Sequence, residues 1–296
     1  MFFKRSNHRV MGATAANAPE SVNKSKTAYE FFGCVVSDTG CVRRRNEDNY
    51  LLLGHYNQAC REASQQSRIE QKVTGKWQLA GIFDGISSEG SGRSAEETAR
   101  IFQTALPELN DAVDENAADD IVRRIFQKAN SHILRENLGG TTATVLCTNR
   151  KRIKIFHLGD SRAYLYRNGK LSQFTRDQTL EQLKRDAGLY DPEDTGIRRD
   201  SHILTDWLGR DQGGHPVESG WISVQKGDHW ILCSDGLYRL CADGEMERIL
   251  STVSGQQAQL QSLVDTAREA GETDNITCMA IRFYEMKKGG NVDGCV

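Results

Sequence analysis

The chain has 296 residues, with 38 basic and 40 acidic side chains, a formal net charge of −2 and 38% hydrophobic residues. That balance excludes an overall field that would draw the protein to nucleic acid or to an anionic membrane surface. No run approaches the ~18 consecutive apolar residues of a membrane-crossing helix, and the basic start MFFKRSNHRVMG has no apolar stretch behind it to make a secretory signal.

Residues 1–27 are polar and unpatterned and read as a loosely ordered N-terminal arm. Gly33 to Ser37 and Asn49 to Leu53 read as strands flanking a charged turn, 57–75 as an exposed polar loop, and Trp77 to Phe83 as the next strand. Ser94, with Glu97 three residues on, has the form of a helix capping box. It precedes an apolar stripe at 101, 102, 105 and 106 that ends at Pro107. A second helical stripe runs through 121, 122, 125, 126, 129 and 133. From Thr141 the period changes to that of strands, and Arg167-Asn168-Gly169-Lys170 is a strong hairpin signal. Residues 178–220 are weakly periodic, Gly- and Asp-rich, and too long for a plain connector. Strands return at WISVQ and HWILCS, then comes a helix with its stripe at 260, 263, 264 and 267, and last the strand NITCMAIRFY. Strands, two helices, strands, one helix and a strand predict an α+β architecture of packed antiparallel sheets with helices outside. Eight cysteines stand singly without a C-x-x-C pair. They predict free thiols in a cytoplasmic protein rather than zinc ligands or a disulfide framework.

Acidic residues recur where apolar runs end. Asp84 closes GIFDG, Asp160 follows IFHLG, Asp235 follows WILCS, Asp274 stands before the last strand, and Glu47 and Asp48 lie between the first two. Each alone reads better as a turn or a strand-end cap than as a ligand, since Asp and Gly are ordinary turn residues. Five such endings in one sandwich can converge on a shared edge, where their like charges call for a cation. Oxygen donors without His or Cys favour Mg²⁺ or Mn²⁺ over zinc. Two such ions about 3.5–4 Å apart activate a water and polarise a phosphoryl oxygen. Gly85 leaves room for its carbonyl to approach an ion, and Arg43, five residues before Asp48, has the fork that holds a phosphate.

The segments SDTGCVRRRNED, FDG, GTTATV, GDSRAYLYRNGKL, FTRDQ, CSDGL and GETDNIT, in this order between Phe32 and Phe283, resemble the PPM (PP2C-type) metal-dependent protein serine/threonine phosphatases. The resemblance implies a PP2C-like, four-layer αββα fold over residues 28–285, with 178–220 as a flap that contributes to substrate selection and 286–296 as a short tail. It implies two Mn²⁺ or Mg²⁺ ions bridged by Asp84, with the Gly85 carbonyl on one of them, Asp235 and Asp274 completing one site, and Glu47 and Asp48 binding the second, partly through water. It gives Asp160 to a weaker third ion and the substrate phosphate to Arg43. The implied reaction is hydrolysis of phosphoserine and phosphothreonine by a metal-bridging hydroxide with no phosphoenzyme, and the sequence is read as lacking the C-x₅-R loop of a cysteine nucleophile. Implied partners are phosphoprotein substrates and a cognate serine/threonine kinase, with no nucleic acid and no membrane, for a monomer. Three departures stand out: Ile86-Ser87-Ser88-Glu89 after Asp84-Gly85, Arg239 where many relatives carry an aspartate, and Gln178 where a histidine is common. They keep open a catalytically inactive binding or regulatory module. A metal-dependent nuclease would use the same ions, but it calls for a basic groove.

Overall fold

A computed structural model describes residues 29–58, 65–70 (backbone only), 75–86, 92–189 and 200–285. The arm, the tail, Cys60, Cys295 and the Ser87-Ser88-Glu89 departure therefore lie outside the described residues. In chain order the strands before the first helix are β1 (Tyr29–Asp38), β2 (Asp48–Leu52), β3 (His55–Tyr56), β4 (Gln65–Glu70) and β5 (Gln78–Ile86). Helices α1 (Gly92–Thr104), α2 (Leu106–Asn110) and α3 (Glu115–Glu136) follow, then β6 (Gly140–Thr141), β7 (Ala143–Thr148), β8 (Arg152–Leu158), β9 (Arg162–Arg167) and β10 (Lys170–Gln173). The rest is α4 (Leu180–Asp186), β11 (Val217–Glu218), β12 (Ile222–Ser223), β13 (His229–Cys233), α5 (Asp235–Tyr238), α6 (Asp243–Thr252), α7 (Gln256–Glu269) and β14 (Ile276–Glu285).

Two antiparallel sheets stack face to face. One has six strands in the order β10-β9-β13-β14-β1-β4, and the other has eight, along β11-β8-β7-β5-β2-β3 with β12 on β8 and β6 on β5. Alternation along the strands sends one set of side chains between the sheets, among them Phe31, Val35, Ile82, Leu146, Trp230, Met279 and Phe283. The other set faces helices. Leu79, Phe83, Val145 and Phe156 meet Phe102 of α1 and Phe126 of α3, whose rings cross edge-on at 5.1 Å. On the far side Val36, Ile231 and Ala280 meet Leu237 of α5, Met246 and Leu250 of α6, and Leu260 and Leu263 of α7. Each fully buried Leu or Phe contributes about 1.5–3 kcal/mol, so three continuous apolar layers fix the αββα order. The expected fold class is the one observed.

Local signals act as physical chemistry demands. Asp114 caps α3 by accepting the Ala117 N–H at 2.9 Å, and Asn137 ends it in the left-handed region. The hairpin β9–β10 turns through Asn168 and Gly169, both at positive φ. Four expectations need correction. The polar loop at 57–75 contains β4, which pairs with β1 at the edge of the six-stranded sheet, and an edge strand has no need of apolar residues. Ser94 lies inside α1 rather than capping it, and its hydroxyl donates to the Gly140 carbonyl at 2.6 Å. Pro107 does not simply stop a helix but stands in the first turn of α2, where a missing N–H costs nothing. Two further helices, the short α5 and α6, precede α7 where the sequence pattern predicts one helix, and α4 and β11 structure part of 178–220. Among the described residues no helix is long and apolar enough to cross a membrane. Cys34, Cys147, Cys233, Cys241 and Cys278 are buried free thiols, while Cys41 is exposed.

Candidate metal centre

The strand ends bring the acidic residues to one end of the sandwich. Asp48 opens β2 and sits in register with Asp84 on β5. Asp160 follows β8, Asp235 begins α5 just after β13, and Asp274 stands two residues before β14. Asp84, Asp160 and Asp235 each offer one carboxylate oxygen within 4.8 Å of the others. They line a cavity of about 350 Å³ together with Gly85, Ile86, Thr142, His202, Leu204, Arg239 and Asp274.

Backbone hydrogen bonds hold these groups in place. The Asp84 N–H donates to Thr142 Oγ1 at 3.0 Å, and its carbonyl accepts the Thr142 N–H at 2.8 Å and the Thr141 hydroxyl at 2.9 Å. Ser234, the residue before α5, donates its hydroxyl to Asp48 Oδ2 at 2.7 Å. Gln178 accepts the Gly159 N–H at 2.7 Å and so fixes the residue before Asp160. Asn275 is the staple of the centre. Its Oδ1 accepts the Glu47 N–H at 2.8 Å, and its Nδ2 donates to the Thr39 and Arg45 carbonyls at 3.1 and 2.9 Å. A single amide thus ties the charged 39–47 turn to the start of β14. Glycines permit the closeness. A Cβ on Gly236 would lie 2.0 Å from the Asn275 carbonyl oxygen, and one on Gly40, at φ +71°, would lie 1.9 Å from that of Asp274.

Electrostatics mark the cluster as uncompensated. Burial, then the neighbouring Asp48, Asp235, Asp160 and Asp274, pushes the Asp84 carboxyl well above the usual range. Burial and Asp235 do the same to Asp160, against the pull of Arg239. Asp48 is pushed up to about 7 by burial, and hydrogen bonds from Thr277 and Ser234 only moderate the effect. Asp235 rises to about 6, again chiefly through burial, with Arg239 opposing. Five carboxylates at one buried edge want positive charge, and their donor atoms are all oxygen. That set fits hard divalent ions.

Of the residues the sequence singled out, Asp84, Asp160 and Asp235 come together, and Gly85 and Asp274 line the same cavity. Asp48 is buried beside them. The Glu47 side chain points to Arg43 Nη1 at 3.9 Å, outside the close group. Arg43 stands 38% exposed at the rim, its Nη2 on Asp274 Oδ2 at 3.0 Å. Sequence reasoning passed over Thr142, Ser234, His202 and the placement of Arg239. Ser234 was visible as a small hydroxyl residue beside Asp235, whereas Thr142 and His202 have no adjacent acidic residue in the sequence to mark them.

Cys233 and Arg239 are separated by five residues, the spacing of a cysteine-dependent phosphatase loop, contrary to the expectation that the chain offers no such nucleophile pattern. The structure removes that option. Cys233 is fully buried in β13 against α5–α7, burial pushes its thiol far up, and Arg239 turns to carboxylates.

A family model described as Protein phosphatase 2C matches residues 40–184. The chain is similar to the serine/threonine phosphatase Stp of Listeria welshimeri, at 28% identity over 261 residues, covering 86% of this chain and 96% of that protein. The solved Mycobacterium tuberculosis serine/threonine phosphatase PstP/Ppp is similar at 26% identity, with 86% of this chain and 98% of that one covered and a TM-score of 0.64. The catalytic domain of PstP in complex with two manganese ions aligns at 25% identity over 86% and 99% of the two chains, with a TM-score of 0.63. Sequence and fold agree along most of the chain: it is similar to Protein phosphatase 2C over residues 40–184 and to serine/threonine phosphatases over 86% of its length.

Proposed function

We infer that this protein is a metal-dependent protein serine/threonine phosphatase that hydrolyses phosphoserine and phosphothreonine with Mn²⁺ or Mg²⁺. The observation that carries the reading is the convergence of Asp84, Asp160 and Asp235 in a buried cavity with too little positive charge to balance them. Asp84 would bridge two ions. The Gly85 carbonyl would bind one of them, Asp235 and Asp274 would complete one site, Glu47 and Asp48 the second, and Asp160 would hold a weaker further ion. Bound there, the ions supply an activated water and charge stabilisation at the phosphoryl oxygens. The chain's own groups orient and hold. Thr141 and Thr142 fix the Asp84 backbone, Ser234 fixes Asp48, and Asn275 fixes the turn that carries Arg43. Arg43 at the rim would receive the substrate phosphate through its planar fork. Ile86 has no proton to give a leaving group.

Phosphoproteins as substrates follow from the family. A cognate serine/threonine kinase, a monomeric state and action in the cytoplasm complete the proposal, the last supported by five buried free thiols. One observation favours the alternative of a catalytically inactive module: Arg239 already pairs with Asp235. Assay of the purified chain on a chromogenic phosphomonoester separates the two. The expected result is Mn²⁺-dependent turnover abolished by chelator and lowered about a thousandfold in Asp84→Asn, equivalent to ~4 kcal/mol of transition-state stabilisation. Turnover indifferent to chelator would sink the reading, and no turnover at all would favour the inactive module.

A further inference from the structure

Arg239 is the cation closest to the centre that the metal reading leaves without a task. It follows α5, and its αR backbone directs the side chain over the helix it has just left. There Nη2 forms an ion pair with Asp235 Oδ2, and Nη1 lies 3.9 Å from Asp274 Oδ2. The backbone repeats the contact, with the Arg239 N–H donating to the Asp235 carbonyl at 3.1 Å. The Arg239 side chain is 26% exposed, and the residue lines the same cavity as Asp84 and Asp160. Its helix is anchored. Tyr238 donates its hydroxyl to the Asp160 carbonyl at 3.1 Å and is stacked under Arg162 at 3.6 Å, which in turn is paired with Asp177.

A guanidinium has only donors and cannot ligate a metal. Asp235 Oδ2 is therefore claimed twice, once by Arg239 and once by any divalent ion that the Asp84–Asp160–Asp235 group would hold. We propose that Arg239 is an internal counter-cation that competes with the divalent ion for Asp235, holding the acidic end together in the metal-free protein and setting its metal affinity. Arg239 is thus a positioning residue, and the proposal rests on the metal-dependent reading above. Removing its charge takes a repulsive neighbour from the bound ion and a stabilising partner from the empty cluster.

Titration calorimetry with Mn²⁺ on the full chain tests this. R239Q is expected to bind Mn²⁺ about tenfold more tightly than wild type. Its metal-free form is expected to melt lower, so that Mn²⁺ raises its melting temperature further. R239K, which keeps the charge, is expected to stay within about threefold of wild type. A residue serving structure alone would weaken binding in both variants. Arginine side-chain ¹⁵N spectra of wild type give a readout free of mutational damage: one guanidinium signal, missing from R239K, should change from restrained to mobile on adding Mg²⁺. Equal or weaker Mn²⁺ binding by folded R239Q, or an Arg239 signal indifferent to Mg²⁺, overturns the proposal. Absence of Mn²⁺ binding by wild type would overturn the functional reading, and this inference with it.

Discussion

Two parts of the molecule bury carboxylates, and they settle the charge in opposite ways. Between α3, β8 and β11, Lys154 Nζ lies 2.5 Å from Asp119 and 2.7 Å from Glu218, and Arg123 grips Glu218 with two hydrogen bonds of 2.6 and 2.8 Å. Two acids meet two bases, and the hydrogen bonds from Arg123 and Lys154 outweigh burial and hold Glu218 below the usual carboxylate range. At the other place Asp48, Asp84, Asp160, Asp235 and Asp274 meet Arg43 and Arg239, and four of the five carboxyls are pushed up. A balanced cluster joins secondary structures. An unbalanced one is held in readiness for a ligand that brings charge.

The strongest way to break this contrast is to remove one member from each cluster. Lys154→Met strands buried Asp119, leaves Glu218 with Arg123 alone, and is expected to lower unfolding free energy by about 3–5 kcal/mol, while the chelator-sensitive turnover of the folded fraction persists. Asp84→Asn should do the reverse, abolishing turnover while raising the stability of the metal-free protein by about 1–2 kcal/mol, since a crowded carboxyl is gone. Urea unfolding in chelator reads both. A destabilised metal-free Asp84→Asn would mean that the acidic end is already balanced by its own arginines.

Acidity sharpens the same contrast with a smaller effect. In the unfolded chain the aspartates titrate near 3.8, whereas in the fold Asp48 titrates at about 7 and Asp235 at about 6. Between those values the fold keeps protons that the unfolded chain has lost, so metal-free stability falls as pH rises from about 4 to 7. Glu218 has the opposite sign: its contribution is present above its unfolded value of 4.5 and is lost as pH falls. Buried His157 joins it on the acid side. Burial lowers it from 6.5 to about 4, so its contribution is lost as pH falls through that window. Unfolding in chelator at pH 5, 6, 7 and 8 should show stability declining toward the alkaline end. Mn²⁺ should flatten the decline, and Asp84→Asn should reduce it. A metal-free curve that keeps rising through pH 7 would contradict the assignment of the excess charge.

The acidic end was legible because its members stand at or beside the ends of apolar strands, a pattern that period and composition expose. The balanced cluster was not, because Asp119 and Lys154 look like ordinary charges on a helix and a strand until α3 is laid across β8. β4 escaped notice because edge strands tolerate polar sequence such as QQSRIE. Ser94 misled because a hydroxyl three residues before a glutamate is also a good inward donor, and the Gly140 carbonyl was invisible from the chain alone. Arg239 was visible as a departure, but its partner was fixed only by the i,i+4 reach across a four-residue helix.

A last and smaller test leaves every charge in place. Gly236 stands directly after Asp235, and the missing Cβ lets α5 lie against the Asp274–Asn275 backbone. Gly236→Ala inserts a methyl group where the nearest atom is a backbone carbonyl oxygen at 2.0 Å, so the two segments must part. The expected cost is about 1–3 kcal/mol, measured by urea unfolding, together with weaker Mn²⁺ binding in calorimetry, because Asp235 and Asp274 are moved apart without loss of either. The Lys154 cluster, on another face of the sandwich, should be indifferent, so the Lys154→Met penalty should add to that of Gly236→Ala. Unchanged metal affinity in folded Gly236→Ala would show that the spacing of Asp235 and Asp274 is not what the glycine protects, and would leave charge alone, without close backbone approach, as the organiser of this end of the fold.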